Sequence, residues 1–170
     1  MTLKDFLEKH GEVEITKEQE KQLKDFLKIK ELKRWKPKPN EEYYYVDCYG
    51  EVDNNWWEDG KDDNFLFLTN NMFKTKEEAE FHLEKLKIYH ELKLFADENN
   101  EEIDWKNADQ TKYTFLFDYR QNAFEYYNVI QFRRMGCIYF SSRELVKQAI
   151  KKVGEDRIKK YLFGVEDENN

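Results

Sequence analysis

Two tryptophans each stand eight residues ahead of a tyrosine, Trp35 before Tyr43 and Trp105 before Tyr113. Each tyrosine opens an apolar and aromatic run, Tyr43 to Asp47 and Tyr113 to Phe117. Each run leads through a polar, aromatic middle to a phenylalanine, and two residues later to a hydroxyl residue that begins a charged helical stretch: Phe73-Lys-Thr75 and Phe140-Ser-Ser142. Self-similarity on this scale points to one supersecondary unit used twice, a constraint that every other assignment must satisfy. A chain of 170 residues is within the size of a single domain, so the two copies are expected to share a core.

The pattern sorts the chain into three segments: an N-terminal helical extension over residues 1–36, a first unit over 37–99, and a second unit with a C-terminal helix over 100–170. In the extension, Leu3, Phe6 and Leu7 fit a short amphipathic helix ending near Gly11, and Thr16 with Gln19 has the spacing of a capping box. Beyond it Leu23, Phe26 and Leu27 fall on one face of a helix running to about Arg34. That stripe suits either packing on the domain or self-association, which makes a homo-oligomer through this helix one expectation. Pro37 and Pro39 stop the helix, because proline has no amide donor and disfavours a helical residue before it.

Within the first unit the spacing predicts strands over 43–49 and 51–57 with Gly50 at the turn, and a short strand over 65–69. A helix should then run from Thr75, which with Glu78 has capping-box spacing, to about Ala96. In the second unit strands are expected over 112–119, 124–132 and 137–140, then a helix over 143–153 broken by Gly154, and a last helix over 155–163. Acidic residues in the first turn of that last helix and lysines near its end suit the helix dipole. The expected fold class is α+β: two related β-β-β-α units forming antiparallel sheet covered by helices, since a half-buried sheet needs a helix over one face.

Charged residues make up 38% of the chain and aromatic residues 16%, the latter in strand-like runs that disordered chains lack. The reading is a folded protein with a highly charged surface. A net charge of -7 disfavours nonspecific wrapping of nucleic acid, which needs an electropositive face. The basic runs at Lys28 to Lys38, Arg133-Arg134 and Lys151 to Lys160 read first as solvated helix faces and a linker. Cys48 and Cys137 form no Cys-x-x-Cys pair and are expected to be free, buried thiols. The N-terminus has no secretory pattern and no stretch has bilayer-spanning length, so no membrane association and a cytoplasmic location are expected.

The segments Trp105-Lys-Asn, Lys112 to Asp118, Ile138 to Ser142 and Gly154 to Gly164 resemble a family of small, mostly uncharacterised phage and prophage proteins of Gram-positive bacteria. Tyr43 to Asp47, Gly50, Val52, Trp57 and Phe73 to Ala79 are similar to the first half of that family. The resemblance spans about residues 34 to 166 and brings no catalytic residue with it. It implies a phage-encoded accessory protein that binds a host factor or blocks host defence, acting in the cytoplasm of the bacterial host.

Motifs for chemistry are wanting. Asp53, Asp59, Asp62 and Asp63 fail the EF-hand pattern, because Trp57 stands where a ligand is needed and no glutamate closes the loop. His82 and His90 are too far apart on their helix to chelate one ion, and no Cys and His cluster suggests zinc. Ser141 and Ser142 read as helix caps, and there is no glycine-rich phosphate loop or Gly-x-Ser-x-Gly elbow. A non-enzymatic binding protein without cofactor or metal is the expectation. Strand alternation sends Trp56 and Trp57 to opposite faces, and the outward one, with Glu58, Asp59, Asp62 and Asp63, is a candidate surface for a host protein. The alternative is a nucleotide-signal or short nucleic-acid binder that uses Tyr126, Tyr127, Arg133 and Arg134, aromatics beside arginines suiting base and phosphate.

Overall fold

The computed structural model describes residues 34–165. The helices and the Leu23, Phe26 and Leu27 stripe expected before residue 34 lie outside the described residues, as does the tail after 165. Residues from Pro37 onward form one compact unit, and Arg34 to Lys36 belong to another.

The first hairpin pairs β1 (Glu42–Val46) with β2 (Val52–Trp56) antiparallel, Glu42 opposite Trp56 and Val46 opposite Val52. Its turn is built by Asp47, whose carboxylate accepts the backbone N–H groups of Tyr49 and Glu51 at 2.9 and 2.8 Å, and by Gly50 at φ +77°. A third segment touches β1 at one point: Tyr44 and Phe73 exchange both backbone hydrogen bonds at 2.8 to 2.9 Å. Beside it the Asn71 amide stands in for further strand, accepting Val46 N–H at 2.9 Å and donating to Val46 C=O at 2.7 Å.

The run Phe65 to Thr69 is not the expected strand. It lies in α1 (Lys61–Leu68) and its C-cap. Short apolar runs are ambiguous between helix and strand, and here the ends decide. Asp63 turns back to accept the N–H of Gly60 at 3.0 Å, closing the first turn, while the Thr69 hydroxyl donates to the Phe65 carbonyl at 2.9 Å at the other end. Asn70, at φ +62°, then reverses the chain toward Phe73.

The second hairpin pairs β3 (Lys112–Asp118) with β4 (Ala123–Val129), Lys112 opposite Val129 and Asp118 opposite Ala123. Here too the expected third strand, 137–140, reduces to one phenylalanine: Tyr113 and Phe140 exchange backbone hydrogen bonds at 2.8 Å in both directions. Asn100 flanks that bridge, donating to Tyr139 C=O and accepting Ser141 N–H, both at 2.8 Å. The described chain therefore carries two separate two-stranded antiparallel sheets with four helices, a mixed α+β arrangement.

α2 (Lys76–Asn99) is capped by Thr75, whose hydroxyl accepts Glu78 N–H at 3.2 Å; the Glu78 carboxylate reaches past the cap to accept Lys74 N–H at 2.9 Å. α3 (Arg143–Val153) is capped by Ser142 in the same way, whereas the Ser141 hydroxyl accepts Glu101 N–H at 3.1 Å and caps nothing. Gly154, at φ +104°, separates α3 from α4 (Glu155–Phe163). The main core gathers Ile88, Leu92 and Phe95 of α2, Phe140, Ile150 of α3 and Ile158 of α4. Each such side chain contributes about 1.5–3 kcal/mol by burial. Tyr43, Trp57 and Met72 are buried outside that cluster. α2 serves both groups, since β1 and β2 pack on it as well as α3 and α4. Arg157 ties α4 to it through Glu84 and Glu91 at 3.2 and 3.1 Å. The cysteines are free, but not buried as expected: Cys48 sits exposed at the first turn and Cys137 is half-buried.

Candidate functional site

At the end of β2 the two tryptophans separate as strand alternation requires, Trp56 at 53% exposure and Trp57 at 3%. Trp57 is a fold residue: its ring meets Phe67 edge-on at 6.4 Å, and its N–H and C=O bond Glu41 C=O and Asn40 N–H at 2.9 Å. Asp63 is a fold residue too. It is 4% exposed and accepts the Tyr43 hydroxyl at 2.6 Å with the N–H groups of Glu58 and Gly60 at 2.9 and 3.0 Å. Burial pushes its carboxyl up, but the bonds from Tyr43 and from the backbone of Glu58 and Gly60 outweigh that and hold it below the usual carboxylate range. Burial, and then the Asp63 bond, push the Tyr43 hydroxyl far up, so it stays a donor.

Of the six acidic and aromatic candidates, Trp56, Glu58, Asp59 and Asp62 remain at the surface. The structure adds two residues that the strand reading of 65–69 concealed. In α1, Phe65 and Leu68 are three residues apart on one helical face and are 64% and 78% exposed. Only the local half of the signal stands in the sequence: Asp63 follows Gly60 at capping distance, and the Phe-Leu-Phe-Leu run has no β-branched residue, but the Tyr43 bond to Asp63 is set by the fold.

The second set of candidates divides. Tyr126 turns toward α3, where Arg143 and Lys147 lie over its ring at 4.9 and 5.9 Å. Tyr127, its neighbour in β4, faces the other way and carries the Arg134 guanidinium at 5.1 Å. Arg133 stacks over Trp105 at 5.6 Å. These arginines form one rim of a cleft of about 560 Å³ between the C-terminal half of α2 and the loop that ends at Tyr139, with Lys93, Trp105, Cys137 and Tyr139 also on its walls.

The cleft walls are held from behind. Trp105 meets Tyr139 edge-on at 4.8 Å, and the Tyr139 hydroxyl accepts Arg134 N–H at 2.7 Å. Lys112 is fully buried, donating to the carbonyls of Asn107 and Ile130 at 3.0 and 2.9 Å with its ammonium 5.6 Å from the Trp105 ring centre. Sequence reading missed this lysine, because a lysine opening an apolar strand reads as an exposed first residue.

Among the described residues no group of three or more His, Cys, Asp or Glu side chains is placed to hold a metal ion, and no helix is long and apolar enough to cross a membrane. No protein-family model, curated protein or solved structure matches the chain.

Proposed function

We propose that the chain is a non-enzymatic binding protein that engages another protein through the surface formed by the end of β2 and by α1. The observation that carries this reading is the outward face of α1. A short helix that turns Phe65 and Leu68 to solvent, a few residues after exposed Trp56, has an apolar side without cover among the described residues. Lone exposed apolar residues are ordinary; three large ones within 13 positions, interleaved with Glu58, Asp59 and Asp62, make a patch of interface composition. Such a patch suits a partner whose own surface is apolar and basic. The resemblance to phage and prophage proteins supports a bacterial host protein as that partner, in the host cytoplasm. A nucleic-acid-binding host complex fits best, since its basic surface is what an acidic competitor occupies. We also read the two halves as copies of one unit of hairpin, bridging phenylalanine and capped helix, a reading supported by the shared order of these parts.

The test is retention of a stoichiometric partner from bacterial lysates by the tagged chain, compared with Trp56→Ala, Phe65→Ala, Leu68→Glu and the Asp59→Lys/Asp62→Lys pair. Central aromatic anchors contribute about 2 kcal/mol or more, so each apolar variant should lose most of the partner while keeping its circular dichroism. Retention should also weaken with salt. Absence of any partner, or its equal retention by all the variants, refutes the reading.

A further inference from the structure

The acidic patch leaves the arginine cleft unexplained. We infer that the cleft between α2 and the loop ending at Tyr139 binds a nucleotide unit, with Arg133 and Arg134 on the phosphate and Trp105 against the base. No residue of this site belongs to the protein-binding patch, so the two readings stand or fall separately.

Charge is the first ground. Three cations, Lys93, Arg133 and Arg134, line the cleft against one carboxylate, Asp97, and that carboxylate is paired with Lys93. Among the described residues neither arginine has a carboxylate partner, in a chain whose net charge is -7. Two adjacent guanidiniums left unneutralised amid so many acids form a local anion site, and their planar forks match phosphate oxygens.

Ring faces are the second ground. Each guanidinium rests on an aromatic ring, Arg133 on Trp105 and Arg134 on Tyr127. Cation–π contact at an exposed site is weaker than base–aromatic stacking, so a base displaces Arg133 from the indole as that arginine turns to the phosphate. A simple anion would use the arginines and leave the indole idle. The volume of about 560 Å³ lies within the range of small-molecule pockets.

Preorganisation is the third ground. The Asn100 amide and the Tyr139 hydroxyl each bond backbone on the cleft walls, Tyr139 meets Trp105 edge-on, and the buried Lys112 ammonium sits 5.6 Å from the Trp105 ring centre, so the rings are held before a ligand arrives. Tyr126, on the far face of β4, is not part of the site.

The experiment is calorimetric titration of the full chain with uridine monophosphate, adenosine monophosphate, uridine, inorganic phosphate, oligoglutamate and a short oligothymidylate. Arg133→Ala and Arg134→Ala should each raise Kd by about tenfold or more, as loss of a charge-assisted contact predicts. In Cys48→Ser protein, bound nucleotide should slow alkylation of Cys137 on the cleft wall, a readout that needs no arginine variant. Binding of the mononucleotides identifies a free nucleotide as the ligand; binding of oligothymidylate alone identifies a single strand, and both support the site. Inorganic phosphate, uridine or oligoglutamate binding as tightly as the nucleotides overturns it. So does binding that both arginine variants leave unchanged, or no binding by any nucleotide probe.

Discussion

Replacing Asp63 by alanine should remove more stability than any other exchange of an acidic residue in the first half of the described chain. The carboxylate is 4% exposed and receives three hydrogen bonds, from the Tyr43 hydroxyl at 2.6 Å and from the N–H groups of Glu58 and Gly60 at 2.9 and 3.0 Å. Bonds to a charged group contribute about 1.5–3 kcal/mol each; the three are coupled, and water can reach part of the freed loop, so a loss of about 3–4 kcal/mol is expected. Asp63→Asn keeps an acceptor of the same shape without the charge, and Tyr43→Phe leaves the carboxylate its backbone donors; each should cost about 1–2 kcal/mol. The assay is denaturant unfolding followed by tryptophan fluorescence, to which buried Trp57 contributes. In a cycle of Tyr43→Phe and Asp63→Ala, the double variant should lose less than the sum by about 1 kcal/mol. Strict additivity, or an Asp63→Ala variant within about 0.5 kcal/mol of the parent, refutes the account. The pH dependence has a definite sign. Because the folded carboxyl is held low, its stabilisation is complete above the unfolded value of about 3.9 and is lost as pH falls through the lower folded value. Asp63→Asn should flatten that part of the acid limb.

Lys112→Met removes the donor that joins the Asn107 and Ile130 carbonyls, and should cost about 2–4 kcal/mol by leaving two acceptors unmet; an unchanged Tm would contradict this. Asn71→Ala and Asn100→Ala each delete an amide that bonds backbone beside a bridge, and should cost about 1–2 kcal/mol while speeding amide exchange at Tyr44 and Phe73 or at Tyr113 and Phe140, respectively. Burial, then the neighbouring Lys85, holds His82 below its ordinary value of 6.5. The unfolded chain therefore takes up the proton first, and stability should fall as pH drops from about 6.5 through the lower folded value. His82→Gln should abolish that slope in pH-resolved unfolding.

Local chemistry that acts within a few residues was legible before any coordinates. The Thr75 and Ser142 caps, the Gly50 turn, the break at Gly154 and the opposite faces of Trp56 and Trp57 all follow from residue type and short-range geometry. What stayed hidden depends on partners distant in sequence. The Phe65 to Leu68 run is helical because Asp63 has both a helix start to close and Tyr43, 20 residues earlier, to bond. The third segment of each hairpin is a single bridge, at Phe73 and at Phe140, beside which Asn71 and Asn100 supply by side chain what more strand would supply by backbone. Of the candidate sites, residue classes were readable and facing was not. Trp57 and Asp63 turn inward, Tyr126 turns to α3, and Trp105 joins the arginines.

The bridges also change which residues of the two hairpins correspond. Counted from the tryptophans, Tyr43 matches Tyr113, but the residues that bond the bridging phenylalanines are Tyr44 and Tyr113. Aligned on that bond, Tyr43 falls on Lys112, and both are fully buried. The same slot beneath each hairpin thus holds a long side chain with a polar tip, and the tip decides what must surround it. A phenol hydroxyl is satisfied by a carboxylate, so the first slot draws Asp63 and its acidic turn inward against the strand. An ammonium is satisfied by carbonyls, so the second slot draws in the Asn107 and Ile130 backbone and leaves a positive charge beneath Trp105. The groups that close the two slots thus differ in sign, a carboxylate under the first hairpin and an ammonium under the second. Each hairpin closes its slot with a different donor, a phenol hydroxyl in the first and an ammonium in the second, while a bridging phenylalanine and a hydroxyl cap accompany both.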